Sequence, residues 1–384
     1  MRRLSGSLTP VMVASLSLAL AFVWMLLAVQ IRYQGDWTGL FHIGGGIAPP
    51  AEAGGTPSTL RGDDGYDGQF YRLVARDPFL TRGYARYVDS PEMRWQRILV
   101  PALAWELALG RSGWVDGAYI AVILGWVFAG SFWGATLARG MGYPAWMGGG
   151  FLLLPATLAA LDRMTVDVAL AALLLGALCV GEDGSEKRLW LLAAGAALCR
   201  ETGTLLAVAL VARALMRRRF ALAARLASSL APAAAWFWYV RLNTPRTQEN
   251  YLSWIPLEGL LRRFLHESHV APDMPLRELH VLLEYLALSG ALLAVLLIIQ
   301  YRPGLNSLQG TAAWCFLLPV LFVNHAGVWS EPFAYGRTLT PFWLLIALES
   351  ARLRRWTGLL PVALIDLPLM AQFVYYVAAL LKPA

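Results

Sequence analysis

The sequence predicts an all-α fold: a polytopic transmembrane helical bundle of about eleven spanning helices, with interfacial helices in its first outer loop. Three observations predict it. The 384 residues are 58% hydrophobic and only 15% charged, with a mean hydropathy of +0.52, whereas soluble domains are roughly half apolar and a quarter charged. Apolar runs recur along the whole chain, and Lys and Arg collect in the short loops between them. A spanning segment satisfies its own backbone hydrogen bonds, so helices are the expected form. Residues 1–384 read as a single membrane domain.

The first run, Thr9 to Gln30, is long enough to cross and lacks a small-residue cleavage site, which predicts a retained helix. Arg2 and Arg3 before it predict a cytoplasmic N-terminus. Residues 32–114 form an outer loop. Within it, 32–96 is too polar and too rich in Gly and Pro to be embedded, and Gly44 to Pro57 reads as a flexible lead into an acidic motif. Residues 97–110 are apolar, but about 14 helical residues reach only about 21 Å against about 30 Å of hydrocarbon. That predicts a helix in the outer interface.

Further spans are expected at 115–137, 145–161, 167–181, 189–199, 202–216, 220–240, 281–300, 311–327, 338–350 and 357–380. Alternating sides then puts Arg139, Lys187-Arg188, Arg217-Arg218-Arg219, Arg302 and Arg352-Arg354-Arg355 all inside. Hydrophobicity alone defines these spans, so the agreement in charge is independent support. Arg200-Glu201 divides 189–216, which we read as a hairpin with its tip in a water-filled cavity, against one long helix carrying a buried ion pair. Residues 241–280 form a second outer loop. Most of the +7 formal charge sits in interhelical loops, so it orients the chain among membrane lipids and predicts no nucleic-acid partner. Cys179, Cys199 and Cys315 fall in apolar segments without ligand-like spacing, as small core residues do.

This topology gathers polar residues on the outer side: the 63–97 cluster, Asp162-Arg163 with Asp167, Arg200-Glu201, Asn324-His325, and Glu331 through Arg337. A charge at membrane depth costs roughly 2.5–3.5 kcal/mol on insertion scales, so such groups pair or line a cavity. One shared cavity is expected, with Tyr71, Asp89, Asp167, Glu201 and Glu331 as its polar lining. Asp67 stands out. A carboxylate at the membrane surface can take the proton of an acceptor hydroxyl, but at the start of a short helix over 69–76 it serves equally as a cap or a turn former. Arg94 and Arg97 carry forks suited to phosphate, and equally to snorkelling toward headgroups. Arg200 and Arg337 face the same cavity, with structural pairing to Asp162 or Asp167 as the plain alternative. Pro332 to Gly336, between Glu331 and Arg337, reads as a turn-rich hairpin tip. His266-Glu267-Ser268-His269 has metal-like i, i+3 spacing but no clear third ligand, so a solvated face is the plainer reading and no metal ligand is assigned.

One resemblance joins these pieces. Gly65-Tyr66-Asp67-Gly68-Gln69-Phe70-Tyr71, followed by Asp77-Pro78 and Asp89-Ser90-Pro91, resembles bacterial polytopic proteins of cell-surface glycopolymer formation. Arg94-Trp95-Gln96-Arg97-Ile98-Leu99-Val100-Pro101 and Arg200-Glu201-Thr202-Gly203 belong to the same resemblance. Those proteins are similar in layout to GT-C-class glycosyltransferases. The resemblance implies an enzyme of the bacterial inner (plasma) membrane with its site on the periplasmic side. It implies a polyprenyl-phosphate sugar as donor and a cell-envelope glycan or lipid as acceptor. Asp67 then takes the place of the first-loop catalytic acid, and Arg94, Arg97, Arg200 and Arg337 become donor-phosphate residues.

Two departures from that class are visible. Its acid pair runs directly into the helix, whereas Asp63-Asp64 sit a turn earlier, which leaves Asp64 beside Asp67 as a candidate base. The chain is also short, with no large C-terminal outer domain, so acceptor recognition falls to the loops. A divalent cation is compatible with this chemistry and not required by it. The rival expectations are a lipid-linked sugar transporter or flippase, an O-antigen-type polymerase or ligase, and a non-catalytic assembly subunit. The acidic first loop and the lack of inverted repeats favour transfer over transport.

Overall fold

The computed structural model describes residues 8–45, 59–60, 64–246, 250–266 and 276–380. Arg2, Arg3, Asp63, residues 46–57 and Glu267 to His269 lie outside them.

The described residues are helical almost throughout. α1 (Pro10–Arg32) packs along α5 (Val115–Gly140). Between them run a two-residue parallel pairing of Ile43–Gly44 with Thr59–Leu60 and three short helices, α2 (Asp67–Arg76), α3 (Pro91–Gln96) and α4 (Leu99–Leu107). The expectation of interfacial helices here needs correction for α2, whose residues Gly68 to Arg76 are all buried. Arg72 and Arg76, which give the stretch its amphipathic look, both reach Asp116 at the start of α5. Arg72 Nε and Nη2 lie 2.9 Å from its carboxylate, and Arg76 Nη1 lies 2.8 Å away. Their charge is answered inside the protein and not by water.

A 3-10 segment at Ala145–Leu153 and α6 (Pro155–Arg163) meet at a 56° bend, so 145–161 is not one straight span. α7 (Asp167–Val180), buried from Asp167 to Ala177, lies deep in the bundle. α8 (Glu186–Cys199) and α9 (Thr204–Met216) form the expected hairpin. Arg200 between them is extended, with φ −161° and ψ 150°, which excludes a single helix over 189–216. α10 (Phe220–Ala227) continues through a 3-10 turn into α11 (Ala231–Asn243). The second loop contributes α12 (Glu258–Leu265) and a bridge between Leu252 and Val323. Then come α13 (Arg277–Tyr301), α14 (Leu308–Phe322), α15 (Ala326–Trp329), α16 (Pro332–Thr338), α17 (Thr340–Arg352) and α18 (Leu360–Leu380). Pro332 opens α16, so Pro332 to Gly336 is helix and not a hairpin tip.

The expected spans fall largely on helix, although 311–327 is broken at 323–325 and 145–161 is partly 3-10, and the count of crossings does not follow. Among the described residues four segments are long and apolar enough to cross a bilayer: Pro10–Arg32, Ser112–Gly140, Phe220–Asn243 and Arg277–Tyr301. The bent pair makes five if it counts as one. α7 and α14, at 14 and 15 residues, are apolar but short, reaching about 21 Å at 1.5 Å per residue. The structure is a helical bundle built for a membrane; the figure of about eleven exceeds what helix length supports.

Two motif glycines set how closely the elements approach. A Cβ on Gly68 would lie 2.2 Å from the Arg163 carbonyl oxygen, and one on Gly203 would lie 1.8 Å from that of Ala196. Gly68→Ala must push α2 away from the end of α6. It should lower stability by about 1–3 kcal/mol, as overpacking does, read as a reduced unfolding midpoint in lipid. An unchanged midpoint would contradict this packing.

Candidate functional site

The acidic motif is held by its neighbours before it reaches any charge. Gly65 adopts φ +82°, a left-handed conformation that favours glycine. Tyr66 N–H donates to the His42 carbonyl at 2.9 Å. The Gln69 amide accepts from Gly44 N–H at 3.1 Å and donates to the Asp64 carbonyl at 3.0 Å. Asp67 is thereby fixed as the first residue of α2. Tyr66 occupies the cap position and no side chain caps the helix, so the cap reading of Asp67 falls. Its carboxylate Oδ2 instead meets Arg94 Nη1 at 2.8 Å and Arg337 Nη2 at 2.5 Å. Asp77, of the Asp77-Pro78 pair, accepts from the N–H groups of Thr81 and Arg82 at 2.7 and 2.9 Å and so closes the turn after α2.

From Asp67 the ion pairs run on in both directions. Arg94 grips Asp89 with Nε and Nη2 at 2.9 and 2.6 Å, its guanidinium lying over the rings of Phe70 and Tyr71. Arg337 reaches Asp167 at 2.8 Å, and Asp167 also binds Arg200. Arg200 donates to Thr338 Oγ1 at 3.2 Å and stands 3.5 Å from Glu201. Glu201 is held bidentately by Arg97 at 2.9 and 2.6 Å, and Arg97 donates to the Tyr71 hydroxyl at 3.0 Å. Asp89, Arg94, Asp67, Arg337, Asp167, Arg200, Glu201 and Arg97 thus form one unbroken series of alternating charge. It sits where α2, α3 and the α6–α7, α8–α9 and α16–α17 junctions meet.

The electrostatics follow from this order. Burial disfavours an ionised Asp67, but the charges of Arg337 and Arg94 outweigh it and hold the carboxyl well below the usual range. Glu201 is drawn down to about 2, its partial burial outweighed by Arg97 and Arg200. Burial pushes the Tyr66 phenol up. Several buried donors in this region make no hydrogen bond, among them the Tyr66 hydroxyl, Arg200 Nε and Arg337 Nε.

Nine residues singled out by sequence therefore come together: Asp67, Arg94, Arg97, Arg200, Arg337, Tyr71, Asp89, Asp167 and Glu201. Arg94 and Arg97 are buried and paired, so they do not snorkel. Asp64 is a correction: its side chain is exposed and only its backbone carbonyl takes part. Glu331 is set one step aside, 3.4 Å from Arg163. The Arg163 guanidinium stacks over Tyr66 at 4.3 Å and Phe333 at 3.9 Å. Tyr66 and Arg163 were named from the sequence without a role at the site, and Thr338 was not singled out. Tyr66 stands inside the motif, where its position before Asp67 was the available signal.

Among the described residues no three His, Cys, Asp or Glu side chains gather as a metal-ligand set, and each acid of the network is already met by arginine. The chain matches no protein-family model, no curated protein and no solved structure.

Each of these acids joins two arginines, but removing Asp67 leaves Arg94 with Asp89 and Arg337 with Asp167 at short distances, whereas removing the more enclosed Asp167 leaves Arg200 only the 3.5 Å contact to Glu201. Asp67→Asn should therefore fold, losing about 1.5–3 kcal/mol, and Asp167→Asn should lose about 3–5 kcal/mol. Unfolding midpoints in lipid test the order. The Asp67 contribution carries a pH signature. A carboxyl depressed in the fold stabilises fully above its unfolded value of about 3.9 and loses that contribution as pH falls toward the folded value. The gap between wild type and Asp67→Asn should be flat from about pH 8 to 5 and narrow below about pH 4.

Proposed function

We propose that the chain is an inner-membrane glycosyltransferase of inverting type. It moves a sugar from a polyprenyl-phosphate donor to a hydroxyl of an envelope glycan or lipid on the outer side of the membrane. The observation that carries this reading is the arginine-rich series with Asp67 within it and buried donors beside it left without hydrogen bonds. Arginine forks bind phosphate in the same bidentate manner in which they bind carboxylate. An entering phosphate therefore replaces one carboxylate partner by another anion. The side assignment is supported by helix direction. α7, α9 and α17 each start at the network and run toward Glu182 with its arginine partners, Arg217, or the Arg352 to Arg355 cluster.

In this reading the acceptor oxygen forms a bond to the anomeric carbon as the bond from that carbon to the phosphate oxygen breaks. The acceptor proton passes to Asp67, and polyprenyl phosphate leaves with its charge held by Arg94, Arg337, Arg97 and Arg200. Asp67 gripped by two arginines is a weak base. Phosphate drawing Arg94 and Arg337 toward itself raises its basicity when a donor is in place, so proton removal is tied to occupancy. The gripped state also favours a second reading, a lipid-linked sugar transporter, in which the same residues bind the phosphate without cleavage.

Radiolabelled sugar transfer from a panel of polyprenyl-phosphate sugars, with purified protein in lipid, separates the two. Release of polyprenyl phosphate by wild type, reduced about 10²–10⁴-fold in Asp67→Asn, is the expected result for a general base. Full transfer by Asp67→Asn would overturn the assignment, and saturable binding without release would select the transporter.

A further inference from the structure

A second site lies apart from the ionic network. An apolar groove of about 850 Å³ runs between the end of α5, the Ala145–Leu153 segment, α17 and α18. Trp146, Phe151, Leu154, Leu348 and Trp356 contribute to its wall, and Asp366 is its one ionisable acid. That side chain is only 7% exposed, and its Oδ1 makes no hydrogen bond. Among the described residues no Lys, Arg or His lines the groove. Arg354, near its rim, is stacked on Tyr143 at 5.0 Å. Ile365 and Pro155, sequence neighbours of the groove residues Asp366 and Leu154, pack against Gly336, next to Arg337.

A carboxyl buried in apolar surroundings without a partner is unfavourable, and in a membrane-embedded helix it marks a ligand or ion path by default. The groove has the size of a pocket for a small organic molecule, about 300–1,000 Å³. Its chemistry is one acceptor in an apolar wall with tryptophan faces at hand, which complements a single positive nitrogen on an apolar body. The nitrogen would donate to Asp366, and an indole face would add cation–π attraction. An anionic lipid headgroup would find no cationic partner among the described groove residues.

We propose that this groove binds an amphiphilic amine, with Asp366 as its polar anchor. The site is independent of the transfer reaction. The test is fluorescence anisotropy of rhodamine 6G, a lipophilic cation bearing N–H groups, on the full chain in neutral-lipid nanodiscs. One saturable site per chain is expected, displaced by dodecylamine and not by dodecanol, with affinity at least tenfold lower in Asp366→Asn at an unchanged unfolding midpoint. Ala363→Phe, at an exposed groove position three residues before Asp366, should also abolish binding with the carboxyl intact. Equal binding by wild type and Asp366→Asn would overturn the proposal. So would absence of saturable binding, or equal displacement by dodecanol, which would assign the groove to a neutral chain.

Discussion

Charge closure is the constraint on which the rest of the structure depends. In a chain 58% hydrophobic, Arg200 and Asp167 are 4% and 3% exposed in their side chains, so neither can be left alone. Asp167 at the start of α7 binds Arg200 after α8 and Arg337 on α16, and Arg337 passes the connection to Asp67 on α2. Four helices far apart in sequence are registered by three carboxylate–arginine contacts. The close glycine approaches at 68 and 203 are what let these backbones come near enough.

The same series grades from dry to wet. Its two outermost carboxylates, Asp89 and Glu201, are 43% and 42% exposed in their side chains, while Asp167 is enclosed. A ligand anion entering at either outer carboxylate would meet arginines whose present partners are partly solvated and can return to water at modest cost. The enclosed middle, at Asp167, would keep its pairing and preserve the bundle. A network closed in this way is stable when empty and still able to exchange partners, which suits an anionic substrate better than a permanently unpaired arginine cluster would.

Much of this was legible because membrane burial makes polar residues conspicuous. Arg200-Glu201 interrupting an apolar run, Arg337 after the Pro332 to Gly336 stretch, and the Asp67 and Arg94 to Arg97 motifs all stood out against a greasy background, and topology put them on one side. Three things were hidden. Arg72 and Arg76 resembled the wet face of an interfacial helix because their partner, Asp116, lies 40 or more residues on. Asp64 and Asp67 are equivalent in composition, and only the Gly65 turn and the Gln69 clasp turn one out to solvent and the other inward. Span number was unreadable from apolar runs, since such a run does not reveal where bends and short helices break it. Asp366 did carry a signal, a lone acid in an apolar run, and the structure gives it a groove to face.

The central claim is that Asp67 and a lipid phosphate compete for the same arginines. The direct measurement is the affinity for decaprenyl phosphate of wild type, Asp67→Asn and Arg337→Gln in nanodiscs. If the carboxylate competes, Asp67→Asn binds about tenfold more tightly, since one charge-assisted contact of about 1.5 kcal/mol no longer has to be exchanged, and Arg337→Gln binds more weakly. Unchanged or weaker binding by Asp67→Asn would contradict the account and leave the series as structural ion pairing alone.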